Sequence, residues 1–339
     1  MPYESLLRFA IPALLAFGAS YVLDRMCAAR GFLPPGFREP WRRTLAFFLV
    51  AGILLVGVFA PLGMIGMDVE PDLSRLTTLR LFQLHMMFVT VLAVWFLLGF
   101  AVPRRVETWT PAPAPELAAP LPEADAVLAE GVPPVGEGVD SGAPLASEIA
   151  PPAPPPAPVS LGRQFLAQFG FLAPSVGREI GLGVLLGTGA WVVVLVTILA
   201  VALLIVAMGG EEVLPKQPPA LIPWIAGLPL AIRALISLSA GVVEETFFRG
   251  FLQPRIGIPL STAFFVLAHF SYGQPFMLVG ITLLSLIYAF LVRWRRNIWA
   301  AIAAHTLFDA VQLLIVVPSA LRLVGPQGTD VAGFLGMAL

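Results

Sequence analysis

Charge is scarce in this sequence. Only 12% of its 339 residues are Asp, Glu, Lys or Arg, about half the share usual in soluble domains. A conventional water-facing surface is thereby excluded, and with 58% hydrophobic residues the composition points to a bilayer. Cysteine is nearly absent as well. Cys27 stands alone, so neither an intramolecular disulfide nor a cysteine-based zinc site can form. No basic stripe exists either: the arginines are scattered singly or in pairs and the net charge is −1, which argues against nucleic acid as a partner. The apolar N-terminus, Met1 to Leu23, lacks a basic n-region and a convincing small-residue cleavage site. It reads as a retained first span.

Long apolar runs are what the chain has in place of charge. A transmembrane helix needs roughly 20 mainly apolar residues. Three such runs occupy Ser5 to Leu23, Leu45 to Gly66 and Leu81 to Val102, and Arg8 near the start of the first can snorkel to the headgroups. From Pro103 to Val159 the composition changes to Pro, Ala, Glu and Val, including the run Pro151-Pro-Ala-Pro-Pro-Pro-Ala-Pro158. Such a segment buries too little apolar surface to fold, so residues 103–160 are expected to form a disordered linker. It would separate a three-span module, residues 1–102, from a second module, residues 161–339.

An amphipathic approach segment, Leu161 to Ile180, precedes spans at Gly181 to Met208, Leu228 to Gln253, Ile258 to Tyr272, Pro275 to Trp294 and Asn297 to Val317. The predicted fold is therefore an all-α polytopic membrane protein of about eight helices, with an intramembrane polar cavity in its C-terminal bundle. Gly183 and Gly187 have the spacing that lets helices approach closely, a packing feature. Alternating spans place Arg25, Arg30, Arg38, Arg42, Arg43, Arg104, Arg105, Arg163, Arg178, Arg255, Arg293, Arg295 and Arg296 on one side. The positive-inside rule makes that side cytoplasmic, with the linker there and both termini outside. The opposite loops carry a mixed to acidic set: Asp68, Glu70, Asp72, Arg75, Arg80, Glu211, Glu212 and Lys216.

Ionisable groups inside a membrane cost at least ~2.5–3.5 kcal/mol each, so a cluster of them in apolar spans marks function. The fifth span contains Glu244-Glu245-Thr-Phe-Phe-Arg249, the sixth Phe265-Val-Leu-Ala-His269, and the eighth His305-Thr-Leu-Phe-Asp309. Counting inward from the arginine-marked ends at ~1.5 Å per residue places Glu244, His269, His305 and Asp309 at depths of ~12–18 Å, near the midplane. They can therefore meet. Glu245 and Arg249, four apart, are predicted to form a buried ion pair, leaving Glu244 free to face another span. Phe265 lies one turn before His269 and could shape the wall beside it, although core packing is the commoner meaning of a phenylalanine there. His85, in the third span, has no obvious polar companion in the sequence and reads as a packed or hydrogen-bonded core residue to which no role is assigned.

These three segments resemble the EExxxR, FxxxH and HxxxN/D motifs of the CPBP intramembrane proteases, the family of type II CAAX prenyl endopeptidases and their bacteriocin-processing and immunity relatives. The resemblance covers about Gly181 to Val317. It implies an endopeptidase in which Glu244 is the catalytic glutamate, Glu245 and Arg249 are its paired glutamate and arginine, and His269 and His305 are the histidines. Asp309 falls where many members carry Asn. The implied reaction hydrolyses a peptide bond in a membrane-tethered protein or peptide by water that Glu244 and His269 activate, with His305 and Asp309 stabilising the oxyanion or delivering the proton. No cofactor is required in the favoured version. A zinc version would use Glu244, His269 and His305, although the familiar HExxH spacing is absent. The other function class is a non-catalytic membrane immunity factor or a proton-coupled carrier that uses the same polar cluster. Expected partners are membrane lipid, the tethered substrate and a partner for the N-terminal module; the expected setting is a bacterial inner membrane.

Overall fold

The computed structural model describes residues 2–64, 77–101, 159–210, 212, 214, 221–270 and 277–324. The proline-rich stretch 102–158 and the loop charges Asp68, Glu70, Asp72, Arg75, Glu211 and Lys216 lie outside the described residues. So do the predicted span ends Gly66, Val102, Tyr272 and Pro275. Among the described residues every regular element is helical.

In the first module α1 (Pro2–Ala29), α2 (Pro40–Leu54) and α3 (Thr78–Phe100) are the long helices. Pro40 opens α2 at a position where its missing N–H costs nothing, and the Thr77 hydroxyl caps α3 by accepting from the Arg80 N–H at 3.3 Å. The second module begins with the short α4 (Leu161–Gln168), then α5 (Val176–Ala207), α6 (Leu221–Ala226) and α7 (Leu230–Glu244). A π-helical stretch, Glu245–Leu252, joins α7 to α8 (Gln253–Ala268). The helices α9 (Met277–Arg295), α10 (Trp299–Val311) and α11 (Val317–Val324) complete it, with a second π turn, Gln312–Val316, between the last two.

Seven of the described helices are long and apolar enough to cross a membrane, so this is a multi-pass integral membrane protein. The sequence predicts about eight spans, and the difference lies in one 39-residue helical run, Leu230–Ala268. That run is not straight. Phe248 and Phe265 would stand about 25 Å apart on a continuous helix, yet their ring centroids are 5.0 Å apart. The chain folds back at Gly257, whose φ of 82° is in the left-handed region that glycine adopts without penalty. The fifth and sixth predicted spans are the two arms of this hairpin.

Lipid offers helices no hydrophobic reason to associate, so close packing and polar contacts must hold the bundle. The helix α5 shows the first of these. It turns Leu185, Leu203 and Leu204 outward and buries Gly183, Gly187, Ala190 and Ala202. A Cβ on Gly187 would stand 2.8 Å from the Ala304 Cα, and one on Gly183 would overlap the Ala300 carbonyl oxygen. Two backbones thus meet where α5 crosses α10, directly beside His305. The membrane modules pack into one compact unit. An aromatic seam joins them: Phe88 of α3 meets Phe247 edge-on at 4.7 Å, and Trp95 meets Phe251 at 4.9 Å.

Candidate active site

The hairpin places the acidic motif at its α7 arm and the first histidine at the end of its α8 arm, while α10 brings the second histidine between them. The adjacent glutamates diverge. Glu245 is fully buried, and its Oε1 accepts from Arg249 Nη1 at 3.0 Å and from His305 Nδ1 at 2.8 Å. Arg249, also buried, donates through Nη2 to the Ser285 hydroxyl at 3.0 Å and the Ser285 carbonyl at 3.2 Å. Its guanidinium lies 4.2 Å from the centroid of the Phe265 ring, a cation–π contact. The ion pair expected from the four-residue spacing is present, and it also fastens α9 and α10 to the hairpin.

Glu244 belongs to a different environment. Its Oε2 is buried without a hydrogen-bond partner among the described atoms and lies 3.8 Å from His269 Nε2. His269 Nδ1 is 2.7 Å from the Phe265 carbonyl oxygen, which can only accept. Nδ1 therefore carries a proton, and in the neutral ring Nε2 presents its lone pair toward Glu244. A water oxygen at hydrogen-bond distance, ~2.8 Å, from both atoms fits across a 3.8 Å gap.

His305 shares a helix face with Asp309, as the four-residue spacing predicts, with Asp309 Oδ2 3.6 Å from Nε2, and it gains a second partner from the hairpin, since Glu245 takes Nδ1 at 2.8 Å. The carboxylate of Glu245 accepts, so Nδ1 carries a proton and Nε2 faces Asp309 and the cavity. The ring is held flat by Tyr288, stacked at 5.1 Å with planes 19° apart. Phe265 fills the space between the histidines, 4.5 Å from the His269 ring and 6.1 Å from that of His305.

Sequence reasoning missed Ser285 and Tyr288, three residues apart in α9, because one hydroxyl residue in an apolar span carries no signal until its partner is known. It also passed over His85. His85 Nδ1 is 3.0 Å from the Ser239 hydroxyl on α7, a companion the sequence does not point to. It stands within electrostatic reach of Glu244 and His305, so the first module contributes a titratable group beside the site.

The donor set does not fit a zinc ion. His305 turns its nitrogens to Glu245 and Asp309, and among the described residues no three His, Cys, Asp or Glu side chains converge on a point that could hold a metal. Glu244, His269 and His305 are neighbours without forming a tripod.

Fold and site together define a helical membrane protein with a buried acid–histidine cluster lined up on a π-interrupted hairpin. Residues 223–311 match the family model of the type II CAAX prenyl endopeptidases, Rce1-like, and this supports the resemblance of the second module to the CPBP/CAAX protease family. The chain is also similar to the uncharacterized protein YpbD of Bacillus subtilis (strain 168), with 31% identity over 77 residues, 22% of this chain and 41% of that protein. The chain thus spans about two fifths of that relative's length. No solved structure matches.

Proposed function

We propose that the protein is an intramembrane endopeptidase that cleaves a peptide bond of a membrane-tethered protein or peptide with water activated by Glu244. One observation carries this reading. Glu244 Oε2 is a buried carboxylate oxygen without a hydrogen-bond partner among the described atoms and faces His269 Nε2 at 3.8 Å, whereas its neighbour Glu245 is neutralised through Oε1 by Arg249 and His305. A glutamate kept only for packing would be expected to have a cation of its own as Glu245 has, because an uncompensated buried carboxylate is costly.

In the proposed reaction a water held between Glu244 and His269 gives its proton to the Glu244 carboxylate as its oxygen bonds to the scissile carbonyl carbon. The carbonyl becomes an oxyanion on the side of His305 and Asp309, where His305, protonated on both ring nitrogens with its Nδ1–H held by Glu245, donates its Nε2–H to it. Collapse breaks the C–N bond, and the proton taken by Glu244 passes to the departing amine. Phe265 and Tyr288 keep both imidazoles in fixed planes, and Arg249 holds Glu245 so that it keeps the His305 Nδ1–H. No step requires a metal. Candidate substrates are a prenylated tail, a peptide leader or a C-terminal sorting segment, in a bacterial inner membrane with the linker cytoplasmic.

The test is cleavage of a membrane-tethered reporter by wild type, Glu244→Ala and His269→Ala, each checked for insertion. Wild type alone should process it. Normal processing by either inserted variant would end the protease reading in favour of a non-catalytic role for the cluster. Comparative proteomics of a Glu244→Gln strain, read for unprocessed termini, identifies the substrate.

A further inference from the structure

A second buried charge lies outside this site. Arg255 sits two residues before the hairpin turn, only 4% exposed, in a fissure between α1, α2, α3 and the hairpin. Its Nη1 donates to the Phe251 carbonyl at 2.6 Å and its Nη2 to Gln168 Oε1 at 3.3 Å, both neutral acceptors. The guanidinium rests against the rings of Phe251 at 4.4 Å and Trp95 at 4.9 Å and beside the Cys27 thiol. Its Nε has no acceptor, and no carboxylate among the described residues pairs with it. Asp24, which lines the same cavity, is already claimed by Arg43 through two bonds of 2.9 and 2.7 Å. The fissure therefore carries a net positive charge. Arg249, also buried, has its glutamate; Arg255 has no counterpart among the described residues, and a buried charge without one is strongly disfavoured.

We propose that the Arg255 cavity binds the headgroup oxyanion of an anionic phospholipid, which supplies the counter-charge that the described residues do not. The cavity measures about 30 Å³, room for roughly two waters, so only the non-bridging oxygens of a headgroup phosphate enter. Leu23, Leu33 and Val50 give its remaining wall an apolar character suited to the glycerol and upper acyl region. Its level in the bilayer agrees. Arg30 donates to the Arg255 carbonyl at 3.1 Å, and Arg42 and the exposed Trp41 flank the start of α2, the arginine and aromatic pattern of a headgroup boundary. Basic pockets between spans on the cytoplasmic side are where acidic headgroups bind. Glu244 is eleven residues away, ~16 Å along the helix, so this site stands apart from the chemistry and does not depend on the protease reading.

The test uses the full chain, purified in detergent free of phospholipid. Thermal unfolding is followed as phosphatidylglycerol, phosphatidylcholine or inorganic phosphate is added. Phosphatidylglycerol should raise the midpoint by several degrees while the other two leave it in place. Arg255→Gln should lose the rise, Glu244→Gln should keep it, and Cys27→Leu, which fills the cavity but leaves the arginine, should lose it too. Native mass spectrometry of the unaltered protein, which needs no variant to fold, should retain phosphatidylglycerol over phosphatidylcholine. An equal rise with phosphatidylcholine, an equal rise with phosphate alone, or a full rise in Arg255→Gln would overturn the proposal. A rise produced instead by a peptide with a free C-terminal carboxylate, and lost on its amidation, would overturn it in favour of a peptide site.

Discussion

Replacing Arg249 by methionine keeps most of the side-chain volume and removes the charge that Glu245 faces. The structure fixes what is lost: one bond of 3.0 Å to Glu245 and two, of 3.0 and 3.2 Å, to Ser285 on α9. Glu245 is 0% exposed, so its carboxylate would be left with His305 as its sole partner. Stripping one member from a buried pair costs about 3–5 kcal/mol. Arg249→Lys can restore a cation near Glu245 but not the fork to Ser285, and hydrogen bonds to charged groups are worth about 1.5–3 kcal/mol, so it should fall between wild type and methionine. The double variant Glu245→Gln, Arg249→Met should recover part of the loss, because no bare charge remains. Reversible denaturation in mixed micelles of wild type, Glu245→Gln, Arg249→Met and the double variant gives the four corners of the cycle, with an expected coupling of about 2–3 kcal/mol. A coupling indistinguishable from zero, or a methionine variant as stable as the lysine one, would refute the view that this pair holds the bundle.

Glu244→Gln should abolish cleavage while leaving the unfolding midpoint unchanged or raised, since its Oε2 makes no bond that the amide would lose; a large drop in midpoint would mark Glu244 as structural. Gly187→Val should push α10 away from α5, costing about 1–3 kcal/mol by overpacking. Because Ala304, the residue it strikes, precedes His305, cleavage rate should fall further than stability alone explains, as measured at a temperature where both proteins are folded. Deleting Met1 to Val159 strips Phe88 and Trp95 from Phe247 and Phe251. The remaining module should aggregate on extraction, and a monodisperse, active fragment would show that the seam is dispensable.

Spacing carried much of the site into view. The four-residue steps from Glu245 to Arg249 and from His305 to Asp309 put each pair on one helix face, and apolar runs of spanning length marked the membrane. Partner choice between helices was not legible in the same way. That Glu245 rather than Asp309 takes the His305 Nδ1 depends on how α10 is seated against α5, which Gly183 and Gly187 decide through contact between backbones. His85 escaped notice for a related reason: its companion, Ser239, is 154 residues away. Gly257 is one glycine among 31, and only the backbone shows that it turns the chain around.

The π-helical stretch from Glu245 to Leu252 gives the site a reading frame. A π turn is a helix with one residue more than its length needs, and here that surplus stands between the carboxylates and the Gly257 turn. Deleting a single residue from the stretch would let it relax into an ordinary α-helix. The arms would rotate by about 100° relative to each other, so the carboxylates of the α7 arm would lose their alignment with His269 on the α8 arm, and the aromatic seam through Phe247 and Phe251 would lose its register. For this protein a small deletion there is more dangerous than most substitutions, because what it removes is phase.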